Sequence, residues 1–430
     1  MHNAANGEKA GTQPVQILVA ATVYAPEEIP GPVAVVIEGT KIREVWRQTD
    51  DATARRREAE QRPDSTFEVT DLGTLRLAPG YIDLHTHGFQ GHDVTTGSRE
   101  DIERMACALL RTGVTAFFPT IATIAQAKME EQIQLLAGAA KGQLPTAKTP
   151  VIDSAEILGL RLEGPFISRA AKGAQLEQGI RRPSAAEMEV LADAGNGWIR
   201  IVDFAPEEDQ GYHFLATLIE RGILPCIGHT AATYEQVIQA IDQGARHSTH
   251  LFNAMSGIQH RAPGAVGALL TDNRATIELI ADGIHVHPAM IKLAIGVRGS
   301  RDVALITDAV APAGEPEGDY DFVGRKVTVR AGAVRLDNGT LAGSVLTLDR
   351  AVRNAVTFAG LDWSEAICMV THTPARIAGM ATRKGSIVPG MDADLVALDD
   401  KGFVQCTWTR GYLAYQHEAG KNSVSNTVVV

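Results

Sequence analysis

PGYIDLHTHG, residues 79–88, opens on a Pro-Gly turn, continues as a short and mostly apolar run, and closes on His85-Thr86-His87. Residues i and i+2 of a strand share a face, so a strand here aims both imidazoles the same way. Neutral imidazole is a common ligand for zinc and similar metals. Alone, such a pair is more often incidental. The chain beyond it changes that balance.

Further apolar runs follow at 114–120, 157–163, 199–204, 224–229, 247–252, 277–282 and 303–308, which with 81–87 make eight candidate strands. Helix-like stretches lie between them, at 99–111, 124–141, 185–194, 212–221, 234–243 and 288–297. Alternation of this kind predicts an α/β chain folded as a closed parallel (β/α)8 barrel, the TIM type. Such barrels place catalysis at the C-terminal ends of their strands. Glu163 ends the third run, His229 the fifth, His250 the sixth and Asp308 the eighth. Each has an ordinary explanation taken singly: a loop cap, a satisfied core histidine, a helix cap. Together with His85 and His87 at one predicted rim, they point to a metal centre. A cation held by imidazoles and a carboxylate brings the pKa of its water to about 7. A neighbouring carboxylate can take the proton and pass it to a departing amine, and Asp308 fits that role. The implied reaction is hydrolysis of an amide, ester or related C–N bond. His and carboxylate donors suit Zn²⁺, with Fe²⁺, Mn²⁺ and Co²⁺ also fitting, one or two ions per subunit.

Both chain ends read as strands, at 16–23, 33–37 and 42–46 and again at 393–398, 404–408 and 411–415. The expectation is a discontinuous β-sandwich domain from 1–77 and 386–430, bracketing a catalytic barrel over 78–385. Residues 1–14 and 418–430 are expected to be flexible tails. The charged run 55–60 reads as a solvated loop or short helix. An irregular insert follows the eighth strand, with an Asn338-Gly339 hairpin turn, before helices at 346–358 and 364–378.

A chain of 430 residues, 45% hydrophobic and 21% charged, can bury a large core. Its net charge of −11 argues against sequence-independent nucleic-acid binding, which needs clustered cations. An anionic small molecule stays possible, since one Arg and a few backbone N–H groups suffice. The four cysteines are far apart, and no stretch resembles a signal peptide or membrane span, so a cytoplasmic location is expected.

At these residues the chain resembles the amidohydrolase superfamily, and within it the N-acetylglucosamine-6-phosphate deacetylases, from about residue 16 to residue 415. PGYIDLHTHG (79–88), GLRLEGPFIS (159–168), IGHT (227–230), THLFNAM (249–255), ADGIHV (281–286), TDAVAPAG (307–314) and LAGSVLTL (341–348) carry the likeness. PGMDADLVALD (389–399) looks like the superfamily's returning strand. The resemblance implies hydrolysis of N-acetyl-D-glucosamine 6-phosphate to D-glucosamine 6-phosphate and acetate, a step of amino-sugar catabolism. It implies Glu163, His229 and His250 as principal metal ligands, with His85 and His87 holding a second ion, Glu163 bridging and Asp308 nearby as acid/base. Asn253, Ala254, Asp282, His285, Leu341, Ala342 and Gly343 match substrate-binding positions. Arg261 matches a phosphate-binding arginine that reaches in from the neighbouring subunit of a homodimer.

One segment departs. Where these enzymes usually show Lys-Gly-small-His, this chain has Lys172-Gly173-Ala174-Gln175. Ala174 and Gln175 border the expected pocket, and the usual His polarises the acetyl carbonyl. Two substitutes present themselves, the Gln175 amide N–H or a second metal on His85 and His87. Alternative readings are the galactosamine epimer of the substrate, a hydrolase of cyclic or N-acyl amides, and an inactive barrel scaffold. Many cyclic-amide hydrolases use a carboxylated Lys where Glu163 stands, and scaffolds typically lose ligands that this chain keeps.

Overall fold

The structure is a computed structural model and describes residues 15–25, 27–63, 66–143, 153–418 and 425–429. Eight parallel strands build the central barrel: β1 (Tyr81–Thr86), β2 (Val114–Ile121), β3 (Leu160–Leu162), β4 (Ile199–Phe204), β5 (Leu224–Ile227), β6 (His247–Ser248), β7 (Thr276–Leu279) and β8 (Val303–Leu305). A parallel bridge between Thr86 and Ala309 brings the end of β8 back to β1. Every residue of β1 and β2 is buried, which fits near-continuous apolar runs in a sheet covered on both sides. A short extra strand, Glu156–Ile157, pairs β2 beside β3.

Helices pack outside the strands, and polar residues cap several of them. Ser98 and Thr233 form capping boxes at the starts of Arg99–Leu109 and Tyr234–Asp242. Gly264–Thr271 is a helix that the sequence pattern did not suggest. It is buried on nearly every side and therefore lacks the polar face that makes a helix legible.

Strands from both ends of the chain share one nine-stranded sheet. Leu395–Leu398 pairs antiparallel with Arg76–Pro79, and Val15–Tyr24 pairs with Glu28–Glu38, Phe67–Asp71 and Arg76–Pro79. Separate apolar clusters, one around Leu18, Val35 and Leu395 and one around Ile17, Val36 and Trp46, lie on this sheet. This is the small β-sandwich expected beside the barrel.

Three expectations need correction. The charged run 55–60 lies in helix Asp51–Gln61 and is not wholly solvated, because Glu58 is fully buried in an ion pair with Arg43. The C-terminal tail holds a strand, Ser425–Val429, antiparallel to Phe67–Asp71; the other expected tail, 1–14, lies outside the described residues. The insert after β8 is ordered, as a four-stranded antiparallel sheet of Gly318–Phe322, Arg325–Arg330, Ala333–Leu336 and Leu341–Ser344, with Asn338-Gly339 in its last turn. Among the described residues, no helix is long and apolar enough to cross a membrane.

Candidate active site

The barrel strands stop short of the residues expected to end them. β5 ends at Ile227, β6 at Ser248 and β8 at Leu305, yet His229, His250 and Asp308 still reach one another at the rim. Their backbones leave strand geometry, with φ of 46°, 21° and 48°. Non-glycine residues rarely take positive φ, and such strain gathers at functional sites. Ala254, with φ of 49°, lies in the same place.

Two donor groups form there. His85, His87, Glu163 and Asp308 offer ligand atoms within 4.8 Å of one another, as do Glu163, His229 and His250. Glu163 belongs to both. Its Oε1 lies 3.0 Å from Nε2 of both His229 and His250, and its Oε2 lies 3.0 Å from His87 Nε2. Asp308 Oδ1 lies 3.3 Å from His87 Nε2 and 3.5 Å from His85 Nε2.

The donor chemistry fits a divalent cation. His87 Nδ1 donates to the Thr120 carbonyl at 2.9 Å, and His229 Nδ1 donates to the Ala171 carbonyl at 2.9 Å. A carbonyl only accepts, so each neutral ring carries its proton on Nδ1 and turns a lone pair inward through Nε2. The electrostatics agree. Burial opposes protonation of His85, as does Arg161, but Glu163 and Asp308 outweigh both and raise its pKa to about 9. Burial also opposes protonation of His87, and the same carboxylates raise it to about 10. Burial pushes Glu163 and Asp308 up, yet the surrounding imidazoles hold both below the usual carboxylate range. Positive charge is wanted at this point, and a metal ion supplies it without the protons.

A cavity of roughly 330 Å³ opens over the cluster, lined by His87, Glu163, His229, His250 and Asp308. Of the residues expected to touch substrate, Ala174, Gln175, Asn253, Ala254, His285, Leu341 and Gly343 are on its wall. Ala342 is buried and faces away, as alternation along the strand Leu341–Ser344 requires. Asp282 is also off the wall. It accepts the backbone N–H of Ile284 and of His285 at 2.8 Å each and faces His285 Nδ1 at 2.6 Å, so it orients His285. Gly343 has φ of 63°, and a Cβ there would stand 2.9 Å from the Asp308 carbonyl oxygen and 2.5 Å from a Val310 methyl. Only glycine lets this strand lie so close behind Asp308.

Gln175 and Arg261 complete the set of expected residues. Gln175 is buried, its Oε1 accepts the Thr123 backbone N–H at 2.7 Å, and its Nε2 donates to Glu163. One N–H of the amide is therefore committed to Glu163, a candidate metal ligand, while Gln175 still lines the cavity. Arg261 is exposed in the Gln259–Ala262 turn and is not on the cavity wall of its own chain.

The sequence pattern also missed a layer beneath the cluster. Arg161, fully buried, binds Asp203 at 2.9 Å, and donates to Glu278 at 2.5 Å and to the Leu84 carbonyl at 3.1 Å. Glu278 lies 2.9 Å from His247 Nε2 and 3.6 Å from His85 Nδ1. Charged residues inside the apolar runs 157–163 and 199–204 were the available signal. Phe322, Arg335 and Thr340 of the insert complete the cavity wall, and nothing in their local pattern marks them.

The chain belongs to the amidohydrolase family, whose profile matches residues 76–429. Within that family it is similar to sugar-phosphate deacetylases. It is 38% identical to N-acetylgalactosamine-6-phosphate deacetylase of Escherichia coli O157:H7, covering 80% of this chain and 89% of that protein. It is 36% identical to N-acetylglucosamine-6-phosphate deacetylase of Bacillus subtilis, covering 83% and 89%. The structure of N-acetyl-D-glucosamine-6-phosphate deacetylase from Mycobacterium smegmatis superposes with a TM-score of 0.83 at 31% identity, over 93% of this chain and 100% of that one. A mutant of that enzyme in complex with N-acetyl-D-glucosamine-6-phosphate gives 0.84 at 30%, over 94% and 100%.

Proposed function

We propose that the chain hydrolyses the acetamide of N-acetyl-D-glucosamine 6-phosphate, giving D-glucosamine 6-phosphate and acetate. The observation that carries this reading is Glu163 shared between two donor groups at the rim of a barrel whose relatives are deacetylases of this kind. His85, His87, Glu163, His229, His250 and Asp308 would hold the metal, zinc by preference or Fe, Mn or Co, and the overlap at Glu163 favours two ions. A bound divalent cation supplies Lewis acidity and makes water acidic enough to react near neutral pH.

Asp308 then does the proton work. Its carboxyl is held below the usual range, so it is ionised and ready to accept a proton from the attacking water. Oxygen adds to the acetyl carbon, the C–N bond breaks, and Asp308 returns that proton to the leaving amine. Asn253, Ala254, His285 and the Leu341 and Gly343 wall hold the sugar. Gln175 acts through Glu163, fixing the carboxylate by the bond from its Nε2. The exposed Arg261 suits a role in trans, reaching a partner subunit's cavity in a homodimer to meet the phosphate. A cytoplasmic location suits a phosphorylated substrate.

The Escherichia coli relative favours one second reading, the galactosamine epimer. Acetate release by the metal-loaded protein from N-acetylglucosamine and N-acetylgalactosamine, each with and without a 6-phosphate, decides among these. Preference for the phosphorylated glucosamine compound, lost on chelation, is the expected result. Faster turnover of the galactosamine compound would reassign the sugar, and no acetate from any of the four ends the reading.

A further inference from the structure

Among the residues lining the active-site cavity, Arg335 is the one Arg or Lys. It lies exposed on the strand Ala333–Leu336 of the insert, and its Nη1 donates to the Gly339 carbonyl at 2.8 Å, which ties the side chain to the turn that precedes Thr340 and Leu341 on the same wall. Arg335 also lines a second hollow, with Arg330, Thr328, Ala331, Ala333 and Ile284. Register explains the grouping. Thr328 faces Arg335 and Arg330 faces Ala333 across the ladder, so all four share one face of the insert sheet. The intervening turn packs on Ile284, where a Cβ on Gly332 would lie 3.5 Å from its Cδ1. Ile284 precedes His285, which lines the active-site cavity.

Neither guanidinium has a carboxylate partner among the described residues, whereas Lys326 on the same sheet pairs with Asp319 at 2.9 Å. Two unpaired cations on one small face are conspicuous in a chain of net charge −11. Asp319 and Asp321 share this face, but they stand opposite Thr328 and Lys326 in the ladder, which leaves the two guanidinium groups to meet an anion. The guanidinium fork matches phosphate geometry and binds it through paired N–H donors.

We infer that Arg335, backed by Arg330, is a phosphate subsite built by the chain itself, gripping the phosphoryl group of the substrate from within the same subunit. It rests on the deacetylase reading, and it adds an in-chain contact to the one expected from the partner's Arg261. The phosphate sits at the outer end of the cavity and points the acetamide toward Glu163 and Asp308. The insert sheet thereby becomes a specificity element for phosphorylated over unphosphorylated sugars.

The test measures inorganic phosphate binding to the metal-loaded protein by calorimetry, together with kcat and KM for N-acetylglucosamine with and without its 6-phosphate. The proteins are wild type, Arg335→Ala, Arg335→Lys, Arg330→Ala and, as a control on the same sheet, Lys326→Ala. Loss of charged hydrogen bonds to phosphate predicts at least about a tenfold rise in phosphate Kd and sugar-phosphate KM for Arg335→Ala. Arg335→Lys recovers part of this, Arg330→Ala loses less, Lys326→Ala matches wild type, and the unphosphorylated sugar reacts unchanged in all. Unaltered phosphate binding in Arg335→Ala, no phosphate binding by wild type, or equal loss on both sugars would overturn the subsite. A wild type that binds phosphate through Arg335 but releases no acetate would instead retire the deacetylase reading and leave the subsite standing.

Discussion

Three of the four imidazoles at the rim, those of His85, His87 and His229, have a partner on the far nitrogen, whereas His250 Nδ1 is buried without one among the described residues. Thr120 and Ala171 lend backbone carbonyls to His87 and His229, and Thr249 Oγ1 stands 3.2 Å from His85 Nδ1. These partners cost little in sequence, since any residue offers a carbonyl, yet they decide which nitrogen faces the donor cluster. In the proposed reaction Asp308 differs from the histidines in having proton transfer as well as ligation to perform. Asp308→Asn keeps size and one donor oxygen but cannot accept the proton. Its kcat is expected to fall by about 10²–10⁴-fold, with metal content near that of wild type, measured by turnover and metal analysis on the same preparation. A variant with wild-type kcat removes Asp308 from that role. The six candidate ligand positions were legible because His and carboxylate residues are conspicuous at the ends of apolar runs. Gln175 was legible as a departure from the family pattern but not in its partner, because only folding brings it to Glu163.

At the level of strands and loops, the active site depends on where each strand gives out. β6 is just His247–Ser248, and the chain then turns through His250 with positive φ, so this candidate ligand sits on a strained loop above a very short strand. Beneath it, Arg161 on β3 reaches Asp203 on β4 and Glu278 on β7, tying together strands that are not all neighbours. All three side chains are fully buried, so no water shares the burden of their charge. Arg161→Met leaves two carboxylates in the barrel without their cation. The expected loss is about 3–5 kcal/mol of stability, read from chemical denaturation. A loss below about 1 kcal/mol would mean that the layer relaxes or takes up protons. Strand existence was readable from the apolar runs, whereas the early strand ends and the insert sheet were not. Short antiparallel ladders carry a weak alternation, and pairing with distant partners decides them.

Across the whole molecule, a buried ionic cluster joins the barrel to the small sheet. Glu156, on the strand beside β2, pairs with Arg383 at 2.8 Å, with Lys384 at 2.8 Å and with Arg410 at 3.1 Å. Asp392 adds Arg383 at 2.8 Å and Lys41 at 2.7 Å. Burial pushes Glu156 up, but Lys384, Arg383 and Arg410 outweigh it and hold the carboxyl at about 2, below its ordinary 4.5. A folded pKa depressed in this way means the unfolded chain binds the proton more readily. The stabilisation is therefore complete above 4.5 and disappears as pH falls toward 2. Glu156→Gln should be less stable than wild type near neutral pH, with the gap narrowing through that acid window in denaturation midpoints. A gap that is constant across the window would assign the effect to packing rather than charge.

The amino-acid sequence alone determined the alternation of strands and helices, the joining of both chain ends into a second sheet, and the identity of the side chains that gather as candidate metal ligands. Those features are written locally, in the period of apolar residues and in residue types whose chemistry few other side chains share. Tertiary structure decided the sharing of Glu163 between two donor groups, the Gln175 bond, the Arg161 layer and the placing of Arg335 at the cavity mouth. Each of these joins side chains far apart in the chain, and proximity across a closed barrel is a property of the fold that no local pattern encodes.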